Sequence, residues 1–301
     1  MFKIMVDSAA NIPAELVKKY DIEVLSFVNC IDGKEVVCFS PDFTPEQERA
    51  QGKEYYDAMR AGLEVKTGSV STGNFEEAFQ KAFDDGFDVL YFSLSAGISG
   101  TFNAAKIAAD DVLDNDTTGR RIRLIDSMNA SLAQGIMAIY ASEMRAEGKD
   151  LDEVADYLQA RVLKMNGVFT VGDLKYIQKT GRITKATAIV GNVLNIKPIL
   201  RGDSEGHIVQ FSKCRGRKSA VNTLIDLVCN NIENPEEQII GIAHADAYEE
   251  SLYIMEEIQK RVKVRDFINT SYDLCTGTHV GPDTLALFFM GKDRELGGKN
   301  N

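Results

Sequence analysis

The sequence lacks the features that place a chain across a membrane or in an oxidising compartment. It has no apolar run near the ~18 residues that a membrane-spanning helix needs. Its N-terminus reaches Asp7 before a signal-like apolar core can form. The five cysteines form no Cys-x-x-Cys pair, and their odd number suits reduced thiols. We therefore expect a cytoplasmic protein with no stable membrane insertion.

Metal, nucleotide and nucleic-acid ligands also find no support in the sequence. The three histidines, His207, His244 and His279, lie far apart and show no metal-ligand spacing. Neither a Gly-x-x-x-x-Gly-Lys-Ser/Thr nor a Gly-x-Gly-x-x-Gly sequence occurs, so nucleotide binding is unsupported. A net charge of −11 repels phosphate backbones and argues against general nucleic-acid binding. We expect neither a metal nor a cofactor.

Length and hydrophobic pattern indicate an α/β protein of two domains. The 301 residues can bury two cores. Short apolar strands alternate with helices through the first half, which predicts βαβ units around a mostly parallel sheet. A helix that starts at Asp150 and ends at Asn166-Gly167 predicts the boundary between an N-terminal α/β domain, 1–166, and a C-terminal α+β domain, 167–301.

Residues that typically end or cap helices and strands predict several local elements. Residues 24–31 read as one strand that turns at Asp32-Gly33, and residues 41–51 read as a charged loop. Asn74 with Glu77 predicts a reciprocal helix cap. Three apolar side chains of that helix predict core packing, with tunnel lining as the alternative: Phe75, Phe79 and Phe83. A further helix is predicted through Ala186, Ile189 and Val190.

One stretch combines a buried strand, a hydroxyl-rich loop and a helix. Residues 89–94 are apolar, four hydroxyls and two glycines lie over 93–101, and an alanine-rich helix begins near Thr101. A helix N-terminus preceded by small polar side chains directs several N–H groups at one spot, which suits an anion. Ordinary capping of the helix by Ser or Thr is the alternative interpretation.

Hydroxyl side chains also follow other predicted strands. Because ligands of open parallel sheets bind beyond the carboxyl ends of the strands, we expect a crevice at that edge. The four hydroxyls predicted to gather there are Ser8, Thr67, Ser95 and Ser127.

Several ordered motifs resemble those of the DegV family of bacterial fatty-acid-binding proteins, over nearly the whole chain. An Asp-Ser pair, a Thr-Ser-Gln-Pro-Ser loop, a Ser-Ser-x-Leu-Ser-Gly-Thr loop and an Asp-Ser strand end have counterparts at 7–8, 67–71, 95–101 and 126–127. A Gly-Gly-Arg-Ile block, an Asn-Ile-Lys-Pro-Ile-Leu segment and a His-x-Gly-Pro-Gly turn have counterparts at 180–183, 195–200 and 279–283.

The resemblance implies that one long-chain fatty acid is held between the two domains. By motif position, Thr67 and Ser95 would hydrogen-bond its carboxylate, with Arg182 and His279 near the head group. The two loops supply three further candidate ligand-binding residues: Ser69, Ser99 and Gly100. The chain departs from the family pattern around this predicted head-group site at Gly68, Ser69, Val70, Ala96 and Asp283.

The resemblance also implies a carrier that performs no chemistry and presents its fatty acid to a separate fatty acid kinase. The sequence does not reveal the oligomeric state, and a monomer is the default expectation. A basic cluster in this acidic chain predicts either the docking surface for that kinase or an ordinary solvated face. The cluster consists of Lys213, Arg215, Arg217 and Lys218. A serine-dependent lipid hydrolase and a ligand-free interaction module are the alternative functions.

Overall fold

The computed structural model describes residues 1–31, 33–183 and 195–294. The N-terminal part contains, in order, β1 (Phe2–Asp7), α1 (Ala14–Lys19), β2 (Ile22–Leu25), β3 (Val28–Ile31), β4 (Lys34–Val37), α2 (Pro45–Arg60), β5 (Val65–Gly68), α3 (Thr72–Asp84), β6 (Asp88–Ser93), α4 (Thr101–Asn115), β7 (Ile122–Asp126), α5 (Leu132–Ala146) and α6 (Leu151–Gln159). The C-terminal part contains β8 (Met165–Thr170), α7 (Lys175–Lys179), β9 (Ile196–Gly202), β10 (Ile208–Arg215), α8 (Arg217–Asn231), β11 (Ile239–His244), α9 (Tyr248–Gln259), β12 (Asp266–Ser271), α10 (Leu274–Val280) and β13 (Leu285–Met290).

Two large sheets organise the chain. The N-terminal sheet has the order β2-β1-β6-β7, and all its strands are parallel. The C-terminal sheet has the order β10-β9-β8-β13-β11-β12 and is mixed, with β11 and β12 parallel and the other neighbours antiparallel. The predicted α/β fold, a parallel N-terminal sheet followed by an α+β part, is confirmed. No helix among the described residues has the length and apolarity needed to cross a bilayer.

Helix α5 lies between the two sheets and is buried along most of its length. Two close approaches explain how the sheets pack so tightly on it. A Cβ at Gly135 would lie 2.7 Å from the carbonyl oxygen of Ala10, and a Cβ at Gly241 of β11 would lie 2.8 Å from the Cβ of Leu132. The glycines therefore let the helix backbone and the strand backbone approach closely.

The single strand predicted over 24–31 is wrong, because the segment divides into β2 and β3. Ser26 Oγ accepts hydrogen bonds from the N–H groups of Cys38 and Phe39, and the N–H of Phe27 donates to Ser8 Oγ at 2.9 Å. These contacts turn the chain out of the parallel sheet. Strand β3 pairs instead in a three-stranded antiparallel sheet of order β4-β3-β5.

Two predicted helix starts are also wrong. Helix α2 begins at Pro45, inside the predicted loop, because Thr44 and Gln47 form a reciprocal capping box. Helix α3 is capped by Ser71 Oγ, which accepts from the N–H of Asn74, so Asn74 lies inside the helix. The three phenylalanines of α3 are buried in the core beside Tyr91, as predicted: Phe75, Phe79 and Phe83.

The Asn166-Gly167 pair lies inside β8, whereas helix α6 ends at Gln159. Gly167 serves close packing, since a Cβ there would lie 2.5 Å from Asn129 Oδ1. The division into 1–166 and 167–301 stays a prediction, and its boundary falls within this strand. Residue Asp32 and the helix predicted through Ala186, Ile189 and Val190 lie outside the described residues.

Candidate ligand-binding site

A cavity of about 190 Å³, here called the outer cavity, lies between the N-terminal and C-terminal parts of the chain. The first part contributes β5, the loop between β6 and α4, and single residues of three other loops; the second contributes α7, β10, α10 and Arg182. Its lining consists of Phe27, Thr67, Gly68, Ser69, Leu94, Ile98, Ser99, Gly100, Ala130, Ile177, Arg182, Ile208, Cys275, Thr276, His279 and Val280. The predicted position of a ligand between two halves of the chain thus coincides with an open space.

Five polar side chains of this lining are here called the polar wall: Thr67, Ser69, Ser99, Arg182 and His279. Thr67 ends a strand of the small sheet, and His279 lies in the last turn of α10. The two side chains meet across the cavity wall, with 3.2 Å between Thr67 Oγ1 and His279 Nε2. Residues more than 200 positions apart in the chain are therefore brought into direct contact.

The electrostatics of the polar wall favour an anion. Burial, followed by the nearby charge of Arg182, lowers the pKa of His279 to about 4, so the imidazole is neutral at pH 7. Arg182 is half-buried and donates a hydrogen bond to the carbonyl of Thr180. None of the described residues that line the cavity is acidic. A carboxylate placed there would face one guanidinium and several neutral donors.

The helix start predicted near Thr101 is confirmed, and it lies at this wall. Gly100 occupies the cap position of the 15-residue helix α4 and offers no side-chain acceptor. Ser99 Oγ lies 2.8 Å from Thr101 Oγ1 and accepts a longer hydrogen bond, 3.3 Å, from the N–H of Thr101. Ser99 therefore caps the helix and also lines the cavity, so the two interpretations of this stretch are compatible.

A second and smaller space of about 50 Å³, here called the inner cavity, continues from the outer one. The two share the side chains of Ile98, Ala130, Ile208, Thr276 and Val280. Beyond this junction the lining is made of glycines, aromatic rings and one amide: Asn129, Gly167, Phe169, Gly202, Gly206, Tyr272 and Phe288. No residue of the polar wall reaches the inner cavity, so the combined space is polar near one end and largely apolar near the other.

Six of the seven predicted ligand-binding residues line the outer cavity, and Ser95 does not. Ser95 is fully buried; its Oγ donates to the carbonyl of Gly206 at 2.9 Å and accepts from the N–H of Gly97 at 3.1 Å. The N–H groups of Ile98 and Ser99 both donate to the carbonyl of Ser95, and this turn carries Ser99 to the cavity wall.

Three of the four hydroxyls predicted to gather at strand ends, Ser8, Ser95 and Ser127, follow the neighbouring parallel strands β1, β6 and β7, but they do not line the outer cavity. Of the four, only Thr67 lines the outer cavity, and it does so from the antiparallel sheet. Ser127 is buried and donates to the carbonyl of Asn129. Ser8 accepts from the N–H of Phe27 and lines a different cavity. Hydrogen bonds to other segments hold Ser8, Ser95 and Ser127 away from the outer cavity, and a single-sequence pattern does not contain these partners.

The Asp7-Ser8 pair supports the cavity from behind its wall. Asp7 is buried, and its carboxylate accepts from the Tyr91 hydroxyl at 2.8 Å and from the N–H of Leu94 at 3.1 Å. Burial raises the pKa of Asp7, while these hydrogen bonds oppose the rise. Since Leu94 and Phe27 both line the outer cavity, the pair positions two wall segments through their backbones.

Helix α10 is not among the elements predicted from the sequence, which include only a turn at 279–283. Asp273 caps this helix, with its Oδ1 accepting from the N–H groups of Cys275 and Thr276. An Asp directly before an apolar residue is a signal for a helix start that could have revealed it. Cys275 and His279 are four residues apart and therefore share the face that lines the cavity.

The basic cluster divides into two kinds of residue. Lys213, Arg215 and Lys218 are exposed, whereas Arg217 is half-buried and forms a two-pronged ion pair with Glu250, with distances of 2.8 and 2.9 Å. The first three are available to a partner. Arg217 instead holds α8 against α9.

Fold and cavity together define a two-domain α/β protein with a small-molecule cavity between its N-terminal and C-terminal parts. The family model described as DegV family matches residues 1–292, and the chain belongs to that family. The resemblance noted in the sequence is confirmed.

Individual relatives match along almost their whole length. A DegV domain-containing protein of Clostridium perfringens is 33% identical over 295 residues, covering 98% of this chain and 99% of the relative. A protein of Thermotoga maritima named fatty acid-binding protein is 31% identical over 289 residues, covering 94% and 95%. The crystal structure of a DegV lipid binding protein from Thermotoga maritima has a TM-score of 0.82 at 27% identity, covering 98% of this chain and 100% of that one.

Proposed function

We propose that this protein binds one long-chain fatty acid, with the carboxylate at the polar wall and the acyl chain in the outer and inner cavities. The observation that carries the proposal is the polarity of the combined space, which has hydroxyls, an imidazole and a guanidinium near one end and a largely apolar lining near the other. A fatty acid has the same distribution of polarity. The relative from Thermotoga maritima that is named for fatty acid binding supports the assignment.

Within this proposal, Thr67, Ser99 and Arg182 contact the carboxylate directly, and Ser69, Gly100 and His279 complete the wall. Ser99 takes the place first given to Ser95, because its hydroxyl lies at the cavity and that of Ser95 is held by Gly206. The neutral imidazole of His279 offers a donor or an acceptor without adding charge.

The acyl chain supplies most of the affinity in this proposal. Burial of about 14 methylenes at about 0.8 kcal/mol each gives roughly 11 kcal/mol as an upper bound, before the costs of association. The polar wall then has to orient the head group more than to hold it. Largely neutral donors suit that role, because a carboxylate locked in a buried ion pair would be hard for a second enzyme to reach.

The finer proposal is that the protein acts as a cytoplasmic, monomeric carrier that presents its fatty acid to a fatty acid kinase. Exposed Lys213, Arg215 and Lys218 would form the docking surface, since they concentrate positive charge on an acidic chain. A hydrolase is disfavoured by the contacts of the hydroxyls. Thr67 is paired with His279, but no described residue holds His279 Nδ1, the atom that a catalytic acid would orient.

Extraction and mutation test the proposal together. Mass spectrometry of solvent extracts from the purified protein should find a fatty acid in about equal amount to the protein. Thr67→Val and Ser99→Ala should each weaken fatty-acid binding about 10- to 100-fold, since each removes a hydrogen bond to a charged group. Thr170→Val is the matched control, because Thr170 Oγ1 is buried without a hydrogen-bond partner among the described residues. Absence of both extracted lipid and measurable binding of added hexadecanoic acid would contradict the proposal.

A further inference from the structure

The turn between β9 and β10 is built as a rigid unit. Asp203 organises it, since its Oδ1 accepts from the N–H groups of Glu205 and His207 at 2.9 and 2.8 Å. Backbone hydrogen bonds from Asp203 N–H to His207 O and from Gly206 N–H to Asp203 O complete the turn. Four internal hydrogen bonds therefore hold the turn in this conformation.

This turn belongs to the C-terminal sheet, yet it is seated on the loop that follows β6 in the N-terminal sheet. The Ser95 hydroxyl donates to the carbonyl of Gly206 at 2.9 Å. Gly97 packs against the same turn so closely that a Cβ there would lie 2.8 Å from the carbonyl oxygen of Glu205. Ser95 is completely buried at this contact.

A second contact fastens the strand that leads into the turn. Arg294 is buried and donates to the carbonyl of Met128 at 3.0 Å. Its guanidinium also packs on Gly202, where a Cβ would lie 2.5 Å from Arg294 Nη1. The turn is therefore contacted at both of its glycines. Ser95 hydrogen-bonds to the carbonyl of Gly206, and the guanidinium of Arg294 packs on Gly202.

The same two glycines line the inner cavity and do not line the outer one. An acyl chain anchored at the polar wall and threaded past Ala130 would enter the space that these two glycines line. The position of the turn therefore sets one boundary of the inner cavity.

We propose that Ser95 is a positioning residue that seats the β9–β10 turn as the end wall of the acyl passage and thereby sets the longest acyl chain the protein accepts. The inference rests on the proposed fatty-acid binding and deepens it, because it assigns chain-length selection to a hydroxyl that does not touch the ligand. With the hydroxyl removed, the Gly206 carbonyl and the Gly97 N–H lose a partner, and the turn can move outward.

Two variants test the contact from different sides. Ser95→Ala removes the hydrogen bond, and Gly97→Ala pushes on the turn through its added methyl group. The control is Ser93→Ala, which removes a buried hydroxyl whose hydrogen bond goes to the carbonyl of Leu94 and not to the turn. The dissociation constants of all four proteins are measured by calorimetry for dodecanoic, hexadecanoic and eicosanoic acid, with thermal denaturation as the check of folding.

In Ser95→Ala and Gly97→Ala, affinity for eicosanoic acid relative to hexadecanoic acid should rise about fivefold, the size expected from one lost hydrogen bond. Affinity for dodecanoic acid should stay within about twofold, because that chain is too short to press on the turn. An equal loss for all three acids would overturn the proposal by placing Ser95 at the head group, and an unchanged profile would overturn it as well. If the unaltered protein binds none of the acids, the proposed function itself fails.

Discussion

Ala130 lies where the outer cavity joins the inner one, so the size of its side chain should control how far an acyl chain can enter. Its backbone is held in place because its N–H donates to Asn129 Oδ1 at 3.0 Å. Ala130→Leu adds three carbon atoms at the junction. If they displace about three methylenes, each contributing about 0.8 kcal/mol on burial, binding weakens by about 2.4 kcal/mol, or about 50-fold.

The assay is displacement of a fluorescent fatty acid, with hexadecanoic and octanoic acid as competitors. Hexadecanoic acid should show the full loss, whereas octanoic acid, whose chain stops short of the junction, should compete almost as before. Ala50→Leu is the matched control, since the same substitution there falls on the exposed face of α2. A folded Ala130→Leu protein that binds hexadecanoic acid as tightly as the unaltered protein would refute the path assigned to the acyl chain.

Two further predictions concern protons and charge. Burial lowers the pKa of both His244 and His279 from the usual 6.5 to about 4, so the unfolded chain binds more protons between these values. The contribution of each imidazole to the free energy of unfolding is therefore present above pH 6.5 and lost as the pH falls toward 4. In urea titrations, the free energy of unfolding of His279→Gln should fall less between these pH values than that of the unaltered protein. Lys213→Glu combined with Arg215→Glu should leave fatty-acid binding intact and slow phosphorylation by a fatty acid kinase, whereas Lys106→Glu, an exposed change on α4, should not. Equal turnover of both proteins by the kinase would remove the docking proposal.

At this site, local sequence patterns predict the secondary structure but not the orientation of individual side chains. The strand, loop and helix over 88–115 are predicted well because apolar runs, hydroxyls and alanine-rich helices act over neighbouring residues. Which hydroxyl of that loop faces the cavity is a different matter. Ser95 and Ser99 are four residues apart and chemically identical, and the turn between them sends one to Gly206 and the other to the cavity.

Errors in the predicted elements have a common physical origin in contacts between distant residues. Ser26 and Ser8 break what reads as one strand by binding N–H groups of Phe27, Cys38 and Phe39. Gly167 reads as a helix stop, yet it lies in β8, where it pairs with Phe288 and packs closely against Asn129. Neither the composition nor the hydrophobic periodicity of a short stretch of sequence reveals these contacts with distant residues.

The sequence by itself determined the α/β class, the strand, loop and helix that end at the polar wall, and the DegV family, because each depends on residues close in the chain or on motifs in fixed order. Only the tertiary structure decided that Thr67 meets His279 and that Ser99 replaces Ser95 at the cavity. It also decided that a turn of the C-terminal sheet lines the inner cavity and binds Ser95. These outcomes depend on strand order and on side-chain contacts between segments some 100 to 200 residues apart.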